Sequence, residues 1–335
     1  MALPKTRKDW TIAVRSLLCA AFVLAAGELG LVAQAGNGPT FTLAAPVAGR
    51  PMRLITYGDM RFADPKLTKG TNPKVRAWLA AKVGEERPDA LLLTGDMPYV
   101  GSTMGDWDEY RRETVSWTQA GFPVLPTLGN HELYFDHDKA SRNYVLAYPM
   151  LQGHRFYSAL MGPVEVISLD MNSPTEPRSE QTLWFAGQLE HLPKQVEFLM
   201  ILYHVPWVAD EQSNLLAGVP SPQAVLLRDV LERHLGRIKA RVMVVSGHIH
   251  NYERFERKGV EYVVSGGGGA QPYPILLRGS QDLYKGGGFP VYNYVTLEIA
   301  NHVLKGTMWK VRDPDAAELS VEAKDHFELK AAGAR

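Results

Sequence analysis

Apolar runs of strand length alternate along this chain with helix-like segments, and several of the runs end in a polar residue. MRLITYGD (52–59) and DALLLTGD (89–96) both end in Gly-Asp. Between them, NPKVRAWLAAKVGEE (72–86) carries the signals of a helix start, because Asn72 is a suitable N-cap and Pro73 suits the first helical position. The alternation of strands and helices predicts an α/β domain.

The rest of the chain continues this alternation without an internal repeat or a proline- and serine-rich linker. Further strands are predicted over 122–132, 162–170, 196–207 and 240–250, antiparallel strands over 259–269 and 291–311, and helices over 106–117, 179–192 and 221–235. In the helix over 179–192, the spacing of Leu183, Trp184 and Leu189 predicts the buried face. We expect one domain over residues 45–312 and a polar, peripheral C-terminal tail over 313–335.

The first 35 residues differ in composition from the rest of the chain. SLLCAAFVLAA (16–26) is apolar, and Ala33-Gln34-Ala35 matches the small-residue pattern of a cleavage site. The positive charges that precede or border the apolar stretch are Lys5, Arg7, Lys8 and Arg15. We expect a signal peptide over 1–35 and a periplasmic or secreted protein with no stable membrane anchor after cleavage. The alternative is a retained anchor, although Glu28 interrupts the apolar stretch.

Charge and cysteine content exclude some classes of protein. The 36 Lys and Arg residues balance the 36 Asp and Glu residues, so the formal net charge is zero. A nucleic-acid-binding protein carries a basic surplus, and no nucleic-acid partner is therefore expected. The only cysteine, Cys19, lies in the predicted signal peptide, so an exported chain would be stabilised by its core without disulfides.

Polar side chains that can bind metal follow five of the predicted strands. They are Asp59, Asp96, Asn130, His204, and His248 with His250. In α/β sheets, ligand sites form at the carboxyl ends of strands, so these side chains are expected to meet. A set of oxygen and nitrogen ligands without thiolates suits Fe, Zn, Mn or Co. The set is too rich for one ion, whereas two ions sharing a carboxylate are the usual arrangement for phosphate-ester hydrolysis.

The order of these motifs, GD…GDxxY…GNHE…HVPW…GHxH, resembles the calcineurin-like metallophosphoesterase superfamily. More closely, it is similar to the purple acid phosphatases. The resemblance extends from Tyr57 to about Ala270, nearly all of the predicted domain. It implies a four-layer αββα sandwich in which two mixed β-sheets are flanked by helices.

The first two motifs distinguish the purple acid phosphatases from the wider superfamily. Most of the superfamily has Asp-x-His at the first strand end, whereas this chain has Arg61 at the position of the histidine. A cationic guanidinium cannot bind a metal. At the second motif Tyr99 lies three residues after Asp96, where purple acid phosphatases use a tyrosinate to bind Fe(III). The absence of the histidine and the presence of the tyrosine therefore both fit the purple acid phosphatase pattern.

The resemblance also implies a role for each residue of the site. Two metal ions are expected, Fe(III) held by Asp59, Asp96, Tyr99 and His250, and Fe(II), Zn or Mn held by Asp96, Asn130, His204 and His248. Asp96 would bridge the two ions, and a metal-bound hydroxide would attack phosphorus. Asn130 and His131 would contact the phosphate, with His131 as general acid to the leaving alcohol. Arg61 either binds the substrate phosphate or forms a solvated salt bridge.

These implications predict an acid phosphatase that hydrolyses monoesters of small-molecule phosphates. A phosphodiesterase or nucleotide pyrophosphatase on the same metals is the nearest alternative, and a non-catalytic phosphate- or nucleotide-binding protein is another. A metal-stabilised interaction module is a third. HVPWVADEQSNLL (204–216) lacks the further histidines that touch substrate in plant-type enzymes. Only about ten residues separate the predicted cleavage point from the core, so no additional N-terminal β-domain is expected.

Overall fold

The computed structural model describes residues 30–31, 40–46, 49–276 and 278–333. Apart from the two-residue strand at 30–31, the predicted signal peptide lies outside the described residues. Among the helices of the described part of the chain, none is both long enough and apolar enough to span a membrane.

The strands and helices follow the predicted alternation, with boundaries shifted by a few residues. The strands are β1 (Gly30–Leu31), β2 (Thr40–Thr42), β3 (Met52–Tyr57), β4 (Ala90–Leu93), β5 (Val124–Pro126), β6 (Tyr157–Met161), β7 (Val164–Ser168), β8 (Phe198–Leu202), β9 (Arg241–Ser246), β10 (Tyr252–Arg257), β11 (Val260–Ser265), β12 (Asn293–Ala300), β13 (Val303–Val311) and β14 (Val321–Lys330). The α-helices are α1 (Pro73–Glu86), α2 (Met104–Glu113), α3 (Val115–Ala120), α4 (His137–Ala147), α5 (Glu180–Glu190), α6 (Glu211–Ala217) and α7 (Pro222–His234).

The strands form two mixed sheets. The larger has the order β1-β2-β6-β7-β8-β9-β11-β10, and its centre, from β7 to β11, is parallel. The smaller has the order β14-β13-β12-β3-β4-β5, in which β3, β4 and β5 are parallel and the other pairs are antiparallel. Parallel neighbours bring the carboxyl ends of β3, β4 and β5 to one edge, and those of β8 and β9 to one edge of the other sheet.

Side chains of β8 show how the layers are stacked. Phe198, Met200 and Leu202 belong to the core that joins the two sheets and also contains residues of α1 to α4. Leu199 and Ile201, which point to the other face of the strand, belong to a second core with α5 and α7. The order is therefore helices, six-stranded sheet, eight-stranded sheet, helices, and the predicted αββα sandwich is confirmed.

Side-chain hydrogen bonds to the backbone fix the start of α1 and the end of α2. Asn72 accepts a hydrogen bond from the backbone N–H of Val75, which confirms it as the N-cap of α1. The single helix predicted over 106–117 is wrong, because α2 ends and α3 begins at Thr114. Thr114 has ψ 14° and its hydroxyl donates to the carbonyl of Tyr110 at 2.7 Å. This side-chain bond competes with the helical backbone pattern.

Two further expectations differ from the structure. Leu183, predicted to be buried, is 58% exposed. Phe185 is fully buried instead, in the core that α5 shares with α7. The predicted tail contains β14, which pairs with β13 from Val303↔Lys330 to Val311↔Val321. The six-stranded sheet thus continues past the predicted boundary at residue 312. The alternation of exposed and partly buried residues along β14 is the pattern of an edge strand, which a polar composition conceals.

Candidate metal centre

The predicted ligands lie where the parallel strands of the two sheets end. Asp59 follows β3, Asp96 follows β4, His204 follows β8 and His248 follows β9. Asp59, Asp96 and His248 have φ angles of 60°, 57° and 67°, in the left-handed region that non-glycine residues rarely adopt. Strained backbone of this kind is characteristic of functional sites.

Four of the predicted ligands meet around one nitrogen atom, Nε2 of His204. It lies 3.2 Å from Oδ1 of Asn130, 3.2 Å from Nδ1 of His248 and 3.3 Å from Oδ1 of Asp96. The other ring nitrogen, Nδ1, is 2.7 Å from the carbonyl oxygen of Thr94. A carbonyl can only accept, so this bond places the proton on Nδ1 and leaves Nε2 free to bind a metal. These four are the residues predicted for the second ion.

Asp59 and His250 form a second pair beside this group. Oδ1 of Asp59 lies 3.5 Å from Nε2 of His250, and both atoms are buried without a hydrogen-bond partner. The other ring nitrogen of His250 faces the carbonyl of Gln271 at 2.7 Å, while the second oxygen of Asp59 accepts from the backbone N–H of His248. A Cβ at Gly247 would lie 2.4 Å from Oδ2 of Asp59, so only glycine permits this approach.

The donors fit a metal by their chemistry as well as their position. One ligand atom from each of Asp59, Asp96 and His204 lies within 4.8 Å of the other two. Burial raises the pKa of Asp59, and the neighbouring Asp96 raises it further. For Asp96, burial is outweighed by His204, His131 and Arg61, which hold its pKa below the usual range. Two adjacent buried carboxylates need positive charge, which a cation would supply.

The imidazoles are in the protonation state that metal binding requires. Burial lowers the pKa of His248 and of His250 to about 3. The positive charge of Arg61 contributes to both shifts. Both rings are therefore neutral near pH 7, and a neutral imidazole is the form that binds metal.

Tyr99, predicted as an iron ligand, is half-buried at the rim of this group. Its ring packs against Gly70, where a Cβ would lie 2.3 Å from the ring, and its ring centre is 5.6 Å from that of His131. Its hydrogen bond within this group is made by the backbone carbonyl, which faces Nδ1 of His131. The structure thus places Tyr99 beside the centre without showing it as a ligand.

Arg61 enters the centre from the end of β3 with φ 51°. One guanidinium nitrogen lies 3.3 Å from Oδ2 of Asp96, and the side chain is 16% exposed. Of the two roles left open by the sequence, the structure shows a salt bridge, made to a carboxylate that is fully buried within the metal-binding group.

His131 borders the group on the Asp96 side. Its Nδ1 faces the carbonyl oxygen of Tyr99 at 2.5 Å, and its Nε2 lies 3.8 Å from Oδ2 of Asp96. Its backbone N–H donates to Oδ1 of Asp96 at 2.9 Å. Burial lowers the pKa of His131 to about 4, against the opposing effect of Asp96.

Glu132 supports the loops that carry the predicted metal ligands. The side chain is fully buried, and its two oxygens accept from the backbone N–H groups of Asp96, Met97 and Gly129 at 3.0, 2.7 and 2.7 Å. One carboxylate therefore connects the loop that carries Asp96 to the loop that carries Asn130. The GNHE motif contains this glutamate, but its three partners become visible only in the folded chain.

Two curated purple acid phosphatases of Arabidopsis thaliana are similar to this chain in sequence. Purple acid phosphatase 21 is 25% identical over 236 residues, which cover 66% of this chain and 49% of that protein. Purple acid phosphatase 22 is 27% identical over 237 residues, with the same coverage of both proteins. The chain spans about half the length of the curated relatives it matches.

Solved structures share the fold at lower sequence identity. A purple acid phosphatase isolated from yellow lupin (Lupinus luteus) seeds has a TM-score of 0.63 at 19% identity, over 87% of this chain and 56% of that chain. The structure of PhoD has a TM-score of 0.59 at 15% identity, over 88% of this chain and 73% of that chain. Both similarities confirm the two-sheet architecture.

The family match covers the part of the chain that carries the centre. The calcineurin-like phosphoesterase model matches residues 52–252, more than half of the chain, and this range includes every predicted metal ligand from Asp59 to His250. By its fold, its strand-end ligands and this match, the chain belongs to the calcineurin-like phosphoesterase family and is a purple acid phosphatase-like member of it.

Proposed function

We propose that this protein is a dimetal phosphoesterase that hydrolyses phosphate monoesters at acid pH. The observation that carries the proposal is the group of Asp96, Asn130 and His248 around Nε2 of His204, beside the unpartnered buried atoms of Asp59 and His250. These two atoms lie 3.5 Å apart and are a carboxylate oxygen and an imidazole nitrogen, which are both metal-ligand types. The names of the curated relatives support the same activity.

We assign one ion to each of the two groups. Asp59, Asp96, Tyr99 and His250 would hold Fe(III), and Asp96, Asn130, His204 and His248 would hold Fe(II), Zn or Mn. When bound, the two ions would supply Lewis-acid activation of water and neutralise charge on the phosphoryl oxygens. The assignment of iron depends on Tyr99, whose phenol lies at the rim of the group.

His131 is proposed as the general acid. The Tyr99 carbonyl accepts from Nδ1–H, so the second nitrogen, Nε2, is the atom that faces the cleft and exchanges a proton. Because burial lowers the pKa of His131 to about 4, its protonated fraction grows as the pH falls. An acid optimum for donation to the leaving oxygen follows from this direction.

Arg61 is proposed to bind the phosphate together with Asn130 and His131. Its guanidinium already lies within the group of charges at 3.3 Å from Asp96, and a planar fork of donors matches phosphate oxygens. The same charge helps to keep Asp96 ionised, and ionised carboxylate is the form that binds metal.

The first measurement is an absorption spectrum of the purified protein together with metal analysis. A visible tyrosinate-to-Fe(III) band that disappears in Tyr99→Phe, but persists in the buried control Tyr262→Phe, is the expected result. A colourless protein with two divalent ions would remove the role of Tyr99 and leave the phosphoesterase proposal in place.

Hydrolysis of p-nitrophenyl phosphate and bis(p-nitrophenyl) phosphate decides between monoesterase and diesterase. We expect the monoester to be hydrolysed faster, and a clearly faster diester would contradict the monoesterase proposal. Phosphate binding without any hydrolysis after metal reconstitution would indicate a non-catalytic binding protein.

Export to the periplasm or the medium is also proposed, because of the basic, apolar and Ala-Gln-Ala segments of residues 1–35. Amino-terminal sequencing of the protein recovered outside the cytoplasm tests this, with Gly36 as the expected first residue. A mature protein that still begins at residue 1 would contradict it.

A further inference from the structure

The loop after His131 presents aromatic side chains to solvent beside the centre. Tyr134 is 40% exposed and Phe135 is 83% exposed, and their ring centres are 6.1 Å apart. Single exposed apolar residues are common on protein surfaces, so exposure alone indicates little. Phe135, however, also has φ 67°, a conformation that is unfavourable for a bulky residue. The fold therefore holds an exposed ring in a strained position next to the site.

Tyr134 is held firmly against the proposed general acid. Its ring centre lies 4.1 Å from that of His131, and its hydroxyl accepts from the side-chain amide of Asn130 at 2.9 Å. The aromatic pair thus extends outward from the side of the site that carries His131. A general acid gives its proton to the leaving oxygen, so the organic part of the leaving group must lie on this side.

A third ring faces the same cleft from the other sheet. Tyr273 is partly buried and stacks on His250, with ring centres 4.4 Å apart and an angle of 26° between the planes. Tyr134 packs on His131 and Tyr273 packs on His250, so both rings border the centre, although they lie 139 positions apart in the chain.

We propose that Tyr134, Phe135 and Tyr273 form an aromatic subsite for the leaving group, so that the preferred substrates are phosphate esters of aromatic alcohols. Flat rings can stack on these side chains, because Tyr134 and Phe135 are exposed and Tyr273 is only partly buried. This inference rests on the proposed phosphoesterase function and names its substrate class.

The test compares benzyl phosphate with methyl phosphate, whose leaving alcohols are similarly acidic and differ in the ring. We expect the wild-type protein to favour the benzyl ester in kcat/KM by about tenfold or more. Phe135→Ala and Tyr273→Leu should each lower this ratio about three- to tenfold, mainly through KM for the benzyl ester. Leu183→Ala, which removes an exposed apolar side chain from α5, should leave the ratio unchanged.

A second readout keeps the subsite separate from the phosphoesterase proposal. Binding of benzylphosphonate and methylphosphonate to the metal-reconstituted protein is measured by calorimetry, with the same variants. If both esters are hydrolysed at equal kcat/KM, or if neither Phe135→Ala nor Tyr273→Leu moves the ratio, the subsite is refuted while the enzyme stands. If neither ester is hydrolysed, the enzyme proposal fails, and the ratio of the two phosphonate affinities still decides the subsite.

Discussion

The side chains of the centre are held by backbone groups more than by one another. His204, His250 and His131 each direct one ring nitrogen to a backbone carbonyl, which fixes the tautomer and aims the other nitrogen inward. Asp59 and Asp96 accept from the backbone N–H groups of His248 and His131. The donors are therefore positioned before any metal binds, which lowers the cost of assembling the site.

Glu132 is the residue on which this positioning depends most. We expect Glu132→Gln to lower metal affinity by about tenfold or more, because the amide places an N–H group among three backbone donors that need an acceptor. The exposed Glu180→Gln is the matched control. Metal content after dialysis and the circular dichroism spectrum are the measurements. Unchanged metal content in a folded Glu132→Gln variant would show that the carboxylate does not position the loops.

At the level of elements, the predicted metal ligands follow the ends of strands, and the segments that connect the strands supply the side chains around them. The sequence shows the strand ends that carry predicted ligands, because at each of them an apolar run is followed by a polar residue in a Gly-Asp, Gly-Asn or His motif. It does not show β10, whose residues look like a charged loop, although they pair with β11 from Tyr252↔Ser265 to Arg257↔Val260. Part of this strand is buried in the folded chain, and burial raises the pKa of its carboxylate Glu253.

Glu253 on β10 should make stability depend on pH. Burial raises its pKa to about 8, an effect that the Ser213 hydroxyl opposes and that Asp210 and Asp282 reinforce. The unfolded value is near the ordinary one, so the folded state binds more protons between these pH values. Protonated Glu253 therefore stabilises the folded state fully at pH values below the pKa of Glu253 in the unfolded chain. This stabilisation is lost as the pH rises toward 8, the pKa in the folded state.

Glu253→Gln should therefore raise the free energy of unfolding at pH 8 by on the order of 2 kcal/mol, and by much less at pH 5. Glutamine keeps an acceptor for Ser213 and carries no charge to desolvate. Urea unfolding at both pH values measures the difference, with the exposed Glu256→Gln on the same strand as control. An equal effect at both pH values would mean that the titration of Glu253 is not the cause.

Across the whole molecule, the two sheets are connected at their outer edges as well as through the core. Asp325 on β14 accepts from the hydroxyl of Tyr252 at 2.9 Å and from Nε of Arg254 at 2.7 Å, and both partners belong to β10. The Arg254 guanidinium also lies over the ring of Phe327, 5.2 Å from its centre. The C-terminal strand thus joins the edge of one sheet to the edge of the other.

Asp325→Ala should lower the free energy of unfolding by roughly 2 kcal/mol, because it leaves the Tyr252 hydroxyl and part of the Arg254 guanidinium buried without an acceptor. Glu328→Ala, at an exposed position of β14, should have little effect. Urea unfolding measures both variants. Equal stability of the two variants would show that the contact between the sheet edges contributes nothing.

The sequence by itself determined the α/β class, the strands that carry the predicted ligands and the residue types at the ends of those strands. These properties are local, since an apolar run, a turn residue and a ligand are neighbours in the chain. Only the tertiary structure decided which nitrogen of each histidine faces inward, where Arg61 lies, and which rings border the cleft. Those properties depend on contacts such as His250 with Tyr273 or Asp325 with Arg254, which form between distant segments after the two sheets pack and bury their charges.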